Sequence, residues 1–335
     1  MKTWHGYTGK ILEVDLASAT IKEAELDRTL AEGYLGGKGF GAKILYDQLP
    51  PLCDPLSPEN ILVFATGPLT GTLAPSSGRF EVCTKSPATG LWLDANCGGF
   101  FGPELKFAGY DMVIVRGKAA SPVMLVIEDN KFQLKPADDL WGVDTITTHR
   151  KIKDTLGKEF RVACIGEAGE KGVLFAGIIS EYRALGRGGA GAVMGSKNLK
   201  AIAVRGTQGI AIHAPDNFMT TCREAFNELA NSPDTGGGRQ KYGTNLILSL
   251  MDETGIHPVR NFQKGQFAGA SQVNEEVIEK YYVRNKACFG CPIYCTKIAK
   301  VKEGKYKGSF TEGPEYENVW AFGANCENVD IGAII

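Results

Sequence analysis

"NCGGFFGPELKFAGYDMVIVRG", residues 96–117, and "GRGGAGAVMGSKNLKAIAVRG", residues 186–206, follow one plan. Each opens near a Gly-Gly pair, passes through a short helix-compatible stretch carrying lysine, and closes in a strand ending Val-Arg-Gly. From Gly99 to Gly117 is 18 positions; from Gly189 to Gly206 is 17. This reads as an internal duplication, two similar loops related by a pseudo-twofold. A Gly-Gly pair lets backbone N–H groups approach a ligand, and the helix N-terminus behind it favours phosphate. Arg79 lies upstream of the first loop, and Arg183 and Arg187 flank the second. Guanidinium groups pair bidentately with phosphate. Two phosphate-bearing ligands, or one ligand with two halves, are expected.

The second loop also contains a formal G-x-G-x-x-G, at Gly186, Gly188 and Gly191. That leaves an NADP-binding dehydrogenase as an alternative. Its context is poor: the dinucleotide fingerprint opens a first βαβ unit and is followed about 20 residues later by an acid. Here it comes late, and the next strand ends in Arg205.

Around the two loops, residues 1–206 alternate β-like runs with glycine turns. "KILEVDL" and "IKEAEL" read as a hairpin around "ASAT". "NILVFATG", "GRFEVCTKS", "MVIVRG", "VMLVIEDNKFQLK", "RVACIG", "VLFAGIIS" and "KAIAVRG" are further strands, rich in β-branched and aromatic residues. Between them sit only short helical stretches, such as "GAKILYDQL" and "TITTHRKIKDTLG". The pattern predicts an α+β domain on a large sheet, not a regular βαβ array. After Gly206 the texture changes. "PDNFMTTCREAFNELANS", "YGTNLILSLMDETG" and "NEEVIEKYYV" read as helices with Asp, Asn or Gly at an end. We therefore expect a β-rich domain over 1–208 and the start of a mainly α-helical domain over 209–335. The closing "FGANCENVDIGAII" carries no polar tail, as expected if that domain continues.

Charge is balanced, with 37 Lys and Arg against 38 Asp and Glu, which argues against a broad nucleic-acid footprint. Glycine is the outlier at 42 of 335 residues, against a usual frequency of about 7%. The start has no apolar signal core, and no run approaches the roughly 18 apolar residues of a membrane span. A cytoplasmic location is expected. Nine cysteines then read as thiols or metal ligands, with Cys53, Cys83, Cys97, Cys164 and Cys222 as buried small apolar residues.

The remaining chemistry is in "ACFGCPIYC", residues 287–295, with Cys288, Cys291 and Cys295 spaced C-x2-C-x3-C. Radical-SAM enzymes use the reverse order, and zinc would want a second C-x-x-C or a histidine pair. A [4Fe–4S] cluster with three local thiolates and one distant one is the natural fit.

Taken in order, "GYTGKILEVDL", "GGKGFGAKILYD", "TGPLTGT", "SGRFEVCTKSPATG", "NCGGFFGPELKFAGYD", "RALGRGGAGAVMGSKNLKAI", "CFGCPIYC" and "EGPEYE" span positions 6 to 317. With these segments the chain resembles the N-terminal half of the tungsten-dependent aldehyde:ferredoxin oxidoreductase family. The resemblance implies a tungsten (less often molybdenum) bis-molybdopterin centre, a [4Fe–4S] cluster and Mg²⁺. It places Arg79 between pterin and cluster, Asn96, Gly98 and Gly99 in the first pterin loop, and Arg183, Ala184, Gly186 and Arg187 in the second. Carbonyls of Asn96 and Ala184 would hold the Mg²⁺, and Cys288, Cys291 and Cys295 three corners of the cluster. The family's fourth cluster cysteine and a metal-proximal histidine come from a later region. Cys326 is not at that cysteine's position, and none of His5, His149, His213 and His257 matches the histidine. Glu312 matches a carboxylate near the metal, suited to deprotonating a water or an aldehyde hydrate.

The implied reaction is aldehyde plus water to carboxylic acid, with electrons leaving for ferredoxin or a ferredoxin-like subunit. A homodimer is in keeping with the family. Alternatives are a reductive aryl-CoA-type subunit of the same superfamily, the NADP enzyme, or a non-catalytic electron-transfer subunit.

Overall fold

The computed structural model describes residues 3–335. Contacts divide the chain into two units, the first ending at Phe218 and the second spanning Met219–Ile335. The division falls inside the helix Pro215–Asn231, a few residues after the change of texture in the sequence.

The first unit holds two six-stranded sheets. One contains β1 (Lys10–Asp15), β2 (Thr20–Glu25), β3 (Leu62–Ala65), β4 (Phe80–Lys85), β5 (Trp92–Cys97) and β6 (Met112–Arg116). The other contains β7 (Val123–Glu128), β8 (Lys131–Pro136), β9 (Arg161–Cys164), β10 (Ile178–Ser180), β11 (Arg183–Leu185) and β12 (Leu199–Arg205). The first runs in the order β2-β1-β6-β3-β4-β5, and the second, read from its hairpin edge, β8-β7-β12-β9-β10-β11. These are one drawing with every strand number raised by six. The directions agree as well. β1 and β7 are parallel to β6 and β12 respectively. The remaining neighbours in both sheets are antiparallel. The duplication seen in the two glycine loops thus extends to the whole unit.

A contact repeats with it. Lys106, in the last turn of the loop helix Phe101–Phe107, and Lys197, directly after the loop helix Ala190–Ser196, are both fully buried. Lys106 Nζ donates to the Gly6 carbonyl at 2.7 Å, ahead of β1; Lys197 Nζ donates to the Gly117 carbonyl at 3.1 Å, ahead of β7. Each acceptor glycine has a left-handed φ, +74° and +70°, which no β-carbon would favour. A buried ammonium is tolerable only when so bonded. Lys106 adds an ion pair to Asp111 at 2.5 Å, and Asp111 in turn accepts from the amides of Thr8 and Gly9.

The single large sheet expected from the sequence is therefore two. Strand alternation explains the layering. Leu12, Val14, Leu62, Phe64, Val113 and Val115 of one sheet share a core with Leu125, Ile127, Ile202 and Val204 of the other. The residues between them face outward but are buried too. Ile11, Val63, Met112 and Ile114 pack under the helix Lys38–Gln48 through Phe40 and Ile44. Val126, Val162, Ala201 and Ala203 pack with Ile152 of the helix Thr145–Leu156. Four layers result, helix–sheet–sheet–helix, which is why so many strands read as continuous apolar runs.

The second unit carries short helices and an antiparallel sheet of β13 (Tyr282–Lys286), β14 (Thr296–Lys300) and β15 (Phe310–Glu312). The stretch "NEEVIEKYYV" is helical only over Glu275–Glu279, capped by Asn274, and then enters β13. No helix among the described residues is long and apolar enough to cross a membrane.

Candidate functional site

β5 and β11 occupy equivalent edges of their sheets, and each leads into a glycine loop. The two strands pack against each other, so the loops of the two halves meet. Asn96 and Ala184 hold matching places, each two residues before Gly98 or Gly186, with a buried residue between (Cys97, Leu185). Arg79 Nη1 donates to Asn96 Oδ1. A β-carbon at Gly99 would find only Arg183 Cγ, at 3.6 Å, and one at Gly186 only Ala184 Cβ, at 3.7 Å. Neither glycine is crowded at its β-carbon position; Gly99 is itself buried, whereas Arg79, Asn96, Ala184, Gly186 and Arg187 are exposed. The structure thus brings Arg79, Asn96, Gly98, Gly99 and Arg183 to one place, next to the loop that carries Ala184, Gly186 and Arg187. Uncrowded glycines with Arg79 and Arg183 beside them and Arg187 next in the chain suit a phosphate-bearing group.

Other glycines of the second loop serve a different end. A β-carbon at Gly188 would strike Leu93 of β5, at Gly189 the Leu174 carbonyl, and at Gly191 the Gly177 carbonyl, all within 2.2 Å. Ser86 Oγ donates to the Gly188 carbonyl at 2.7 Å, tying the second loop to the first sheet. These packing roles use two of the three glycines of the G-x-G-x-x-G. The topology also departs from a dinucleotide unit, because β11 and β12 are separated by β10 and β9.

Beside the first loop, Glu81 lies opposite Asn96 in the β4–β5 ladder. Burial, reinforced by Asp94, pushes its carboxyl up, against the pull of Lys38 and Arg79. Behind the second loop, the β10–β11 turn at Glu181 (φ +56°) is pinned by the buried His149. The Glu181 amide donates to Nε2 at 2.7 Å, the Val162 carbonyl faces the same nitrogen at 3.0 Å, and Nδ1 faces the Thr145 carbonyl at 2.7 Å. Burial pushes the His149 pKa down, Thr145 and Val162 carbonyls oppose this, and the nearby charges are Lys153 and Glu181. A group kept neutral by the fold gives stability above its ordinary pKa of about 6.5 and loses it as pH falls below that. We expect amide exchange over residues 180–187, corrected for intrinsic rates, to rise several-fold between about pH 7.5 and pH 5.5. A His149→Gln protein should show a flat profile; an equally steep one would remove His149 from this role.

In the second unit, Cys288, Cys291 and Cys295 lie on the loop joining β13 to β14, each half-buried and outside any disulfide. The Cys291 amide donates to the Cys288 carbonyl at 3.2 Å, and Gly290 and Tyr294 take left-handed conformations. The ladder closes the loop at Lys286 opposite Thr296. Buried Lys297 then donates to the Tyr294 carbonyl at 3.3 Å, to Asn285 Oδ1 at 3.0 Å and to the Gln240 carbonyl. Cys295 packs on Gly243, whose β-carbon would stand 2.5 Å from the Cys295 carbonyl. Among the described residues no three ligating side chains are already gathered as a metal group. The donor set itself, three soft thiols on one tight loop with Lys286 and Lys297 beside them, suits an anionic thiolate-bound cluster. Cys326 lies apart in function: it is exposed and donates to the Ala321 carbonyl at 3.2 Å.

Glu312, at the end of β15, is 5% exposed and pairs with Lys286 Nζ at 2.6 Å. The small sheet thus joins the candidate carboxylate to the cysteine loop. Lys286, Lys297, Arg161 and Glu181 escaped sequence reasoning, since lone charged residues carry no spacing signal.

Comparison with known proteins matches residues 11–206 to the model "Aldehyde ferredoxin oxidoreductase, N-terminal domain" and residues 220–335 to "Aldehyde ferredoxin oxidoreductase, domains 2 & 3". A tungsten-containing aldehyde ferredoxin oxidoreductase of Pyrococcus horikoshii is 48% identical over 98% of this chain and 54% of its own length. The WOR-like subunit of an aliphatic sulfonate oxidoreductase of Pyrococcus furiosus is 33% identical over 96% of this chain and 54% of its own. Among solved structures, the active-site complex of benzoyl coenzyme A reductase with 1,5-dienoyl-CoA superposes with a TM-score of 0.84 at 32% identity. It aligns over 98% of this chain and 52% of that one. The chain spans about half the length of the curated relatives it matches.

Proposed function

The chain belongs to the aldehyde ferredoxin oxidoreductase family, and from that premise we propose that it takes part in oxidising aldehydes to carboxylic acids at a tungsten or molybdenum bis-pterin centre. The observation that carries the reading is the meeting of two equivalent open-glycine loops, one from each half of a duplicated fold. Arg79, Arg183 and Arg187 would pair with pterin phosphates, and the amides around Gly98, Gly99 and Gly186 would line the cradle. Carbonyls of Asn96 and Ala184, at matching positions, would hold Mg²⁺ as hard oxygen donors. Cys288, Cys291 and Cys295 would hold three corners of a [4Fe–4S] cluster.

The bound groups supply two-electron acceptance and onward transfer to ferredoxin or a ferredoxin-like subunit; the chain binds and orients them. Glu312, fixed by Lys286, would take the proton of the attacking water or of the aldehyde hydrate. A cytoplasmic setting fits nine cysteines that form no disulfide. The test is anaerobic purification of the full-length protein, with metal and pterin analysis and aldehyde-dependent viologen reduction. Absence of both tungsten and molybdenum sinks the proposal. The likeness to benzoyl coenzyme A reductase supports a second reading, reduction of an aryl-CoA thioester. CoA-ester turnover without aldehyde turnover would decide for it.

A further inference from the structure

Two loops borne by two separate sheets form one cradle only if their separation is fixed to about half an ångström. Neither hairpin sets that separation by itself. Arg161 of β9 reaches both. Its guanidinium carbon stands 5.0 Å from the centre of the Phe100 ring, the residue directly after Gly98 and Gly99. Its Nη1 donates to Glu181 Oε1 at 2.8 Å, in the turn directly before Arg183. Lys153 reaches the same carboxylate oxygen at 3.0 Å, and Glu181 is only 17% exposed. Phe100 belongs to the first sheet's loop, whereas Arg161, Lys153 and Glu181 belong to the second half.

We infer that Arg161 is a positioning residue that locks the two glycine loops at a fixed separation, so that they bind their ligands as one site. The inference rests on reading these loops as the cofactor cradle. Arginine suits the task because its planar, weakly hydrated fork can lie on an aromatic face while donating sideways to a carboxylate. A lysine ammonium is a point charge and serves only one partner well. Phe100 fixes where the first loop turns into its helix, and Glu181 fixes the hairpin from which Arg183, Ala184, Gly186 and Arg187 extend. Without the brace the β5–β11 packing and the Ser86–Gly188 bond still hold the two halves together, but the turn at Phe100 is no longer tied to the hairpin at Glu181.

Hydrogen–deuterium exchange and cofactor analysis of the full-length protein test this. Arg161→Met should speed amide exchange by roughly tenfold in both segments, 98–101 and 181–187, with peptides from the sheet centres unchanged. Pterin and tungsten per chain should fall in parallel by about fivefold or more, because loading needs both loops. Faster exchange in one segment only, or in neither, overturns the brace, as does full loading of Arg161→Met. If Arg161→Met fails to fold, Arg161→Lys and Phe100→Leu decide. Both keep a cation against Glu181 or leave Arg161 there, so both should loosen 98–101 and spare 181–187. Unchanged exchange over 98–101 in both overturns the brace. A wild-type protein without pterin sinks the function proposed above, yet the exchange comparison still reports on Arg161.

Discussion

Replacing Glu312 with glutamine should lower aldehyde turnover by about 10²- to 10⁴-fold, the range general-base groups contribute. The substitution keeps the shape and one hydrogen-bond acceptor for Lys286, so cluster iron, pterin and tungsten per chain should stay unchanged. A structural role makes a different prediction. Glu312 is almost wholly buried and its partner Lys286 is 31% exposed, so losing the charge leaves a cation that can partly turn to water. The stability cost is then about 1 kcal/mol, far too little to explain such a loss of rate. Lys286→Met serves as the control. If the ion pair matters only for folding, both single variants lose about 1 kcal/mol of stability and keep kcat nearly unchanged. If Glu312 takes a proton, kcat falls in Glu312→Gln and stays low in the double variant. Unaltered kcat in Glu312→Gln would remove Glu312 from the chemistry.

What the sequence made legible differs from element to element, for physical reasons. The central strands were readable because both faces are buried: β3, β6 and β12 are apolar runs bounded by glycine or polar turns. The two strands that lead into the candidate loops, β5 and β11, were not. β5 reads "WLDANC", with an exposed Trp92 and the polar Asp94 and Asn96, and only its buried Leu93, Ala95 and Cys97 alternate. β11 is three residues long, too short for any period. Edge strands that present backbone and polar groups to a ligand give up the apolar pattern that reveals strands. The duplication survived in the glycine loops because both halves need the same backbone there. It was invisible in β1–β3 against β7–β9, where any apolar residue fills the core. The cysteine spacing reads as a candidate ligand set, but the residues that support the loop carry no such signal. Lys297 reads as one more surface cation, yet it is 2% exposed and ties down the Tyr294 carbonyl inside the loop. One sheet was expected where two stack, because period-2 patterns do not say which strands are neighbours.

The glycine loops hold the sharper lesson, that residues of one type in one motif divide between ligand and packing. Gly189→Ala should destabilise the first unit by on the order of 3 kcal/mol. The new β-carbon meets the Leu174 carbonyl at 1.9 Å and Pro87 Cγ at 2.7 Å, and φ is +86°. A backbone oxygen cannot turn aside as a flexible side chain can, so either the loop or the turn at Leu174 moves. In a unit of this size that loss corresponds to roughly 6–12 °C in thermal midpoint. Gly186→Ala should do the opposite. Its β-carbon meets nothing closer than Ala184 Cβ at 3.7 Å, so the midpoint should shift by no more than about 0.5 kcal/mol in equivalent stability. The added methyl points into the open cradle, and pterin content should fall while the fold stands. Thermal unfolding measured with pterin analysis on both variants separates the two roles. A stable Gly189→Ala protein, or a fully loaded Gly186→Ala protein, would show that the open and the packed glycines have been assigned the wrong way round.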